Sequence, residues 1–494
     1  MDNYKNKKIY QILFNIFLLL VLPIVVLAPM GTWIPLIVLA LITICFTKSF
    51  KNIIFEKKYT VLIVTFILCT LLSYFLLNFD IKTINTLIGL YFIIFSFLTI
   101  LILYESKTDY KFTTIQLVIS LVISFLIIIL DYTFQIGFKL WLSYNLDFKN
   151  FSNFYSFKKW ISFTEFHSKH QLMIENYLSN TYDRGITALS VLAVPICALC
   201  VFFKMKKTAF LVFSITVIGL CTFFNTTALI SFLLAFLLFF YLVFIKFIKK
   251  KTFLILMLIY FIITPFFLGN LNYKSFSDYE KELEVKYDLL HKKVLNDYPF
   301  FYIYKNNDNA HLENVTRYYC CPFYEMAFKA FKKADKKIPI LLYSLNYYVL
   351  ILEEKMLHRR VIWSFSKEKI LEKPLFGHGM FSSKVIGDQY KIKNIDNKML
   401  SAMPLHPHNS ILQLWLELGV LGVFLFYIFL YNIINQIYEI KKINSKYAAF
   451  SLVSLFQIFL IGQLSYGFWQ TWWISIIFIN ILIYNILYKK LLQK

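Results

Sequence analysis

The sequence predicts an all-α protein that crosses a membrane many times, and three observations carry that prediction. Of 494 residues, 59% are apolar and only 16% are charged, whereas a soluble domain carries about 25% charged residues. The mean hydropathy is +0.62. The apolar residues gather into twelve runs of spanning or near-spanning length, close to the ~20 residues a membrane helix needs. The net charge of +23 sits in small Lys and Arg clusters between these runs. That is how membrane topology is written, and it argues against a nucleic-acid partner.

The runs lie at 10–28, 32–46, 60–77, 85–104 and 113–131, then 186–203, 208–223, 227–246 and 252–268, then 410–434, 448–466 and 471–488. The expected organisation is a membrane region over 1–131, an external loop over 132–185, a second membrane region over 186–268, a large external loop over 269–409 between helices 9 and 10, and a last membrane region over 410–494. With the N-terminus in the cytoplasm, the inner short loops and ends collect 22 Lys, from Lys5 to Lys494, and the outer short loops hold one, Lys82. This asymmetry places both termini inside and both long loops outside. The first run follows Lys5, Lys7 and Lys8 but is too long for a signal-peptide core and lacks a small-x-small cleavage site, so it is expected to be retained.

Within the loops the signals are weaker. The aromatic, mildly basic stretch 132–185 reads either as an amphipathic surface element or as a cover over the bundle. Lys274 to Lys293 reads as a charged helix, and Ile338 to Leu352 as a short interfacial helix bounded by Lys337 and Glu353. Cys45, Cys69, Cys197, Cys200 and Cys221 fall in membrane runs and are expected to be small buried apolar residues. Cys320 and Cys321 are neighbours in the large loop, and no function is assigned to them. All eight histidines fall in the two long loops.

The densest chemistry is Pro404 to Gly422, reading PLHPHNSILQLWLELGVLG. Pro407 holds His406 extended, so the rings of His406 and His408 are expected to point apart. Either Asn409 or Ser410, with Gln413 at capping-box spacing, caps the helix that follows. The positive helix end with its unpaired amides would receive phosphate and keep His408 neutral, able to take a proton. Asn409, Gln413 and Glu417 recur every four residues and form one polar stripe, expected to face the bundle interior. Gly419 and Gly422 are expected to allow close helix packing. On residue type alone, His406 and His408 also read as a helix-end interface pair or as a His-x-His metal pair lacking a third ligand. Arg359 and Arg360 could grip a diphosphate in bidentate fashion, or simply meet headgroups. Arg184 at the mouth of the sixth helix reads equally as a snorkelling side chain. Trp469, Gln470, Trp472 and Trp473 lie between the last two helices, where aromatics often form an interface belt.

His408-Asn409 followed by nine residues and then Gly419-x-x-Gly422 resembles the signature of the O-antigen ligase family. Three more blocks are similar to that family: Arg184-Gly185-x-Thr187 running to Pro195, His358-Arg359 with Trp363 and then Pro374-Leu-x-Gly-x-Gly379, and Trp469-Gln470-x-Trp472-Trp473. The resemblance implies a helical fold of the C-type glycosyltransferase kind, and a multi-pass protein of the bacterial inner membrane with its active site facing the periplasm. It implies transfer of a polysaccharide from an undecaprenyl diphosphate donor to a lipid A-core acceptor, with inversion and without a metal or cofactor. It implies His408 as catalytic base and Arg184 and Arg359 as diphosphate ligands, with His406, Asn409, Gln413, Glu417, Arg360, Trp469 and Gln470 in support. The insertion of about ninety residues before His358 departs from the family pattern. Two related alternatives are an O-antigen polymerase and a protein-acceptor oligosaccharyltransferase. A different class, a transporter or lipid flippase, would show interrupted helices in paired halves, and no such symmetry is visible.

Overall fold

A continuous apolar run leaves its backbone only one way to satisfy its polar groups in lipid, by closing them into a helix. The computed structural model describes residues 2–46, 67, 70, 81–103, 110–133, 163–222, 225–245, 247–270, 359–393, 399–403 and 405–492. Its first eight helices are α1 (Asp2–Leu27), α2 (Trp33–Phe46), α3 (Ile81–Leu103), α4 (Tyr110–Thr133), α5 (Phe163–Phe202), α6 (Lys206–Thr222), α7 (Thr226–Phe240) and α8 (Lys250–Gly269). Between α8 and the last three helices come α9 (359–372), α10 (Ser382–Gln389), and a small antiparallel hairpin of β1 (Lys391–Lys393) and β2 (Met399–Ser401). The chain ends in α11 (Ser410–Ile443), α12 (Ser445–Leu464) and α13 (Thr471–Leu492).

Among the described residues, eight helices are long and apolar enough to cross a membrane, and two more apolar stretches, Pro29–Cys45 and Thr86–Ile100, are shorter. The chain is an all-α polytopic membrane protein. Eleven of the twelve predicted runs fall on described helices. The twelfth, 60–77, lies outside the described residues except at 67 and 70. So do the expected elements at Lys274 to Lys293 and Ile338 to Leu352, the pair Cys320 and Cys321, and His358. Helix α5 begins at Phe163, within the stretch expected as loop. No Gly or Pro interrupts 163–184, so nothing in the sequence stops the helix before then.

Helix α5 is the hub. Its span from Tyr182 is almost wholly buried, and it packs on α1, α4, α6, α7, α12 and α13. Small and β-branched residues along it, such as Ala188, Val191 and Ala198, let those helices approach. A few interhelical hydrogen bonds fix register inside the apolar core. Gln457 Nε2 donates to Ser190 Oγ at 3.2 Å, and Asn480 Nδ2 donates to the Val191 carbonyl at 3.0 Å. Helix α11 sits to one side, between α8 and α12. Cys197 and Cys200 are buried as expected, but Cys45 and Cys221 end their helices exposed, which corrects the reading of those two as core residues.

Candidate functional site

The turn before α11 takes its shape from one residue. His408 has φ +53°, in the left-handed region that few residues other than glycine enter, histidine being one of the types enriched there with asparagine and aspartate. This folds the chain back on itself, so the rings of His406 and His408 lie with centroids 4.5 Å apart. The expectation that they diverge across Pro407 is therefore corrected: a proline sets direction at the residue before it, but the sign of φ at His408 decides where the second ring goes. The His408 amide donates to His406 Nδ1 at 3.1 Å. His408 Nδ1 lies 3.0 Å from the Ser465 carbonyl, which can only accept, so a neutral imidazole carries its proton there and keeps Nε2 as its acceptor nitrogen. Trp363 pins the turn from the other side, its indole N–H donating to the Pro407 carbonyl at 2.9 Å.

Asn409 is the cap. Its Oδ1 accepts from the amides of Ile411 and Leu412, each at 3.0 Å, while Ser410 Oγ donates to the Gly462 carbonyl. Two of the first-turn amides, those of Ile411 and Leu412, are thus taken by the cap, and the His408 amide by His406 Nδ1.

Helix α11 is broken at Gly419, with φ +61° and ψ −160°. The break frees backbone groups that the segment 374–379 then satisfies. The amides of His378 and Gly379 donate to the carbonyls of Leu416 and Glu417 at 2.9 and 2.7 Å. The amides of Val420 and Leu421 donate to the carbonyls of Pro374 and Leu375 at 2.9 and 3.3 Å. Gly419 was expected to serve helix–helix packing. It instead admits the backbone of this loop: a Cβ there would lie 2.5 Å from the Leu375 carbonyl carbon and 2.7 Å from the Gly377 nitrogen. Gly377, at φ +67°, meets the helix equally closely from its own side.

The polar stripe faces inward, as expected, and its partners are now visible. Glu417 is fully buried. One carboxylate oxygen accepts from Gln413 Nε2 at 3.1 Å and from Ser383 Oγ. The other accepts from the Phe381 amide at 2.9 Å and from Trp469 Nε1 at 2.6 Å. Gln413 Oε1 in turn accepts from the Phe468 amide at 2.7 Å. Gln470 accepts from Trp472 Nε1 at 3.0 Å, and its amide stands 3.4 Å from His406 Nε2. Trp469, Trp472 and Trp473 are buried, so the reading of this block as an interface belt is corrected: its indoles are spent inside the protein. The result is a strap, residues 462–470, laced along 406–417.

Arg359 and His408 are electrostatically coupled. Burial lowers the pKa of His408 first, the hydrogen bond to the Ser465 carbonyl raises it, and the Arg359 charge lowers it again. Burial likewise pulls Arg359 down from its ordinary value. His406 is held near 3 by burial and by the neighbouring His408, so both imidazoles are neutral at physiological pH. Arg360, beside Arg359, buries its Nε without a partner. Arg184 is exposed, with Nη1 3.0 Å from Met30 Sδ. It does not join the cluster around His408 but borders the strap from its other side. The preceding Asp183 accepts from Tyr466 OH at 3.4 Å, next to the Ser465 that holds His408. Among the described residues, no group of three His, Cys, Asp or Glu is placed to hold a metal ion.

Sequence reasoning missed Ser465, Ser383, Phe381 and Tyr466. Ser465 and Phe381 act through the backbone, which no residue type announces. Trp363 stood inside a matched block, but its role in holding Pro407 did not show.

Residues 351–427 match the family model described as O-antigen ligase. The chain is similar to proteins called "putative polysaccharide ligase" from three Rickettsia species. It is 38% identical over 120 residues to that of Rickettsia conorii, covering 24% of this chain and 28% of that protein. It is 37% identical over 124 residues to that of Rickettsia typhi, with 24% and 29% covered. It is 41% identical over 119 residues to that of Rickettsia prowazekii, again with 24% and 29% covered. The chain thus spans less than a third of the length of each of these relatives. No solved structure matches it.

Proposed function

We propose that this chain, whose residues 351–427 match the O-antigen ligase family model, is a membrane glycosyltransferase that moves a polysaccharide from undecaprenyl diphosphate to lipid A-core on the periplasmic face of the inner membrane. The observation that carries this reading is the state of His408. Its backbone is held at φ +53°, and strain of that kind gathers at functional sites. Its Nδ1 is tied to the Ser465 carbonyl, and burial and Arg359 keep the ring neutral. A neutral imidazole with a defined tautomer is what a general base needs.

In the proposed reaction an acceptor hydroxyl oxygen attacks the anomeric carbon of the donor. His408 Nε2 takes the hydroxyl proton, the new C–O bond forms, and the bond to the diphosphate breaks with its electron pair leaving on the phosphate oxygen. A direct displacement of this type inverts the anomeric centre. Diphosphate is already a good leaving group, so the remaining need is charge neutralisation as it departs, and Arg359 and Arg184 are assigned that role. The 22-to-1 lysine asymmetry supports cytoplasmic termini and an external site.

Deleting the gene and running lipopolysaccharide on a gel tests the reading. Loss of the long ladder with full-length carrier-linked glycan retained supports a ligase. Lipopolysaccharide bearing a single repeat assigns a polymerase instead, and an unchanged ladder removes both.

A further inference from the structure

The strap couples the two halves of the site through one side chain. Three consecutive residues face three ways. The Ser465 carbonyl accepts from His408 Nδ1 at 3.0 Å. Gly467 presses on His406, such that a Cβ at 467 would stand 2.8 Å from the ring Cδ2. Between them Tyr466 turns to α5: its hydroxyl donates to Asp183 Oδ2 at 3.4 Å and lies 3.1 Å from Thr187 Oγ1. Those two residues flank Arg184 on the same helix. Asn225, the cap of α7, locks them in turn, donating to the Asp183 carbonyl at 3.1 Å and to Thr187 Oγ1 at 2.8 Å. The Tyr466 ring is buried and gripped by Trp472 and Trp473, with centroids 4.7 and 5.6 Å away. Its hydroxyl is therefore delivered to α5 by a fixed ring.

We propose that Tyr466 is a positioning residue: it fixes strap residues 465–467 against α5 and so sets the spacing between Arg184 and His408 across one substrate. This rests on the reading of Arg184 as diphosphate ligand and His408 as base. Tyr466 touches no substrate in this account. It acts because one residue of backbone separates its hydroxyl's anchor from the carbonyl that holds the base. A misplacement of about 1 Å at a reacting pair costs up to about a hundredfold in rate, while binding made by other groups is unaffected.

The test is Tyr466→Phe, which keeps the ring and removes only the hydroxyl. Transfer is measured on the purified full chain, with carrier-linked glycan extracted from cells lacking the gene and with purified lipid A-core as acceptor. The expected result is a fall in kcat approaching a hundredfold with KM for the donor little changed, since the lost contact serves geometry and not binding. A double-mutant cycle separates this from a structural role. In an Arg184→Lys background the effect of Tyr466→Phe should shrink sharply, because the geometry that the hydroxyl maintains has already lost one end. Asp183→Asn, which weakens the same contact from α5, should reproduce the pattern and serves if Tyr466→Phe does not fold. Undiminished kcat in both variants, or strictly additive effects with Arg184→Lys, overturns the proposal. Full activity in both Arg184→Ala and His408→Ala removes the functional reading itself, and this proposal with it. Activity lost in those two variants but intact in both Tyr466→Phe and Asp183→Asn removes the proposal alone.

Discussion

Replacing Gly419 by alanine attacks the backbone joint between α11 and the segment 374–379. The residue sits at φ +61° and ψ −160°, a region that is essentially glycine's alone and costs another residue about 1–3 kcal/mol. The added Cβ would also stand 2.5 Å from the Leu375 carbonyl carbon and 2.7 Å from the Gly377 nitrogen, both backbone atoms that cannot rotate away. Relief requires the loop to retreat, which strains the bonds from Val420 to Pro374 and from Leu421 to Leu375. Each such bond is worth about 0.5–1.5 kcal/mol net. The two terms together give a loss of about 2–6 kcal/mol. Thermal unfolding of the detergent-purified protein measures it. Gly89→Ala is the control, since the nearest atom to its Cβ is Thr471 Cγ2 at 3.8 Å and alanine inside a helix is worth about 0.5–1 kcal/mol over glycine. A Gly419→Ala protein that melts with the wild type, while Gly89→Ala behaves as stated, would refute the account of the break.

His408→Ala should abolish transfer, at the scale of about 10²–10⁴ in rate expected for a general base, with melting little changed; near-normal turnover would end its assignment. Because burial and Arg359 lower its pKa, the acid limb of kcat should fall below the ordinary histidine value of about 6.5, and a limb above that value would contradict the electrostatics. Arg359→Lys keeps charge but loses the fork, so transfer should stay impaired, whereas Arg360→Lys should be tolerated; the reverse order would exchange their roles. Glu417→Ala strands four donors, each costing about 1–3 kcal/mol when left buried and unpaired, so the protein should fail to accumulate in membranes, and normal yield would discredit the role given to the Glu417 network. His406 has a folded pKa near 3, below its unfolded value, so its contribution to stability is full above about pH 6.5 and should drain at up to about 1.4 kcal/mol per pH unit as pH falls toward 3; that slope should be missing from an acid titration of His406→Ala.

The helices were legible because twenty apolar residues in lipid have one backbone solution. The polar stripe of α11 was legible for a related reason, since a fourfold spacing fixes a face. What the sequence withheld lies at single backbone torsions. Nothing in the letters HPHN shows that His408 takes positive φ, yet that sign brings two imidazoles together. The Gly-x-x-Gly of 419–422 reads as a packing motif, and only the structure shows that Gly419 breaks its helix to receive Pro374 to Gly379, forty residues back. Ser465 was out of reach because its carbonyl, which every residue type shares, is the functional atom.

The strap also explains why the site tolerates so much buried polarity. Asn409, Gln413 and Glu417 would be costly inside an apolar bundle, but each meets a partner on 462–470: Asn409 at the Gln463 carbonyl, Gln413 at the Phe468 amide, Glu417 at the Trp469 indole. Ser410 and His408 meet the Gly462 and Ser465 carbonyls in the same series. His408, Asn409 and Ser410 meet 465, 463 and 462 in descending order around the end of α12, while Gln413 and Glu417 meet 468 and 469 in the turn beyond it. The position of the base is then inherited from the packed end of α12 and the turn that follows it. A loop this polar on its own would sample many conformations; laced to a packed helix pair, it holds one residue in strained backbone with its ring in one tautomer.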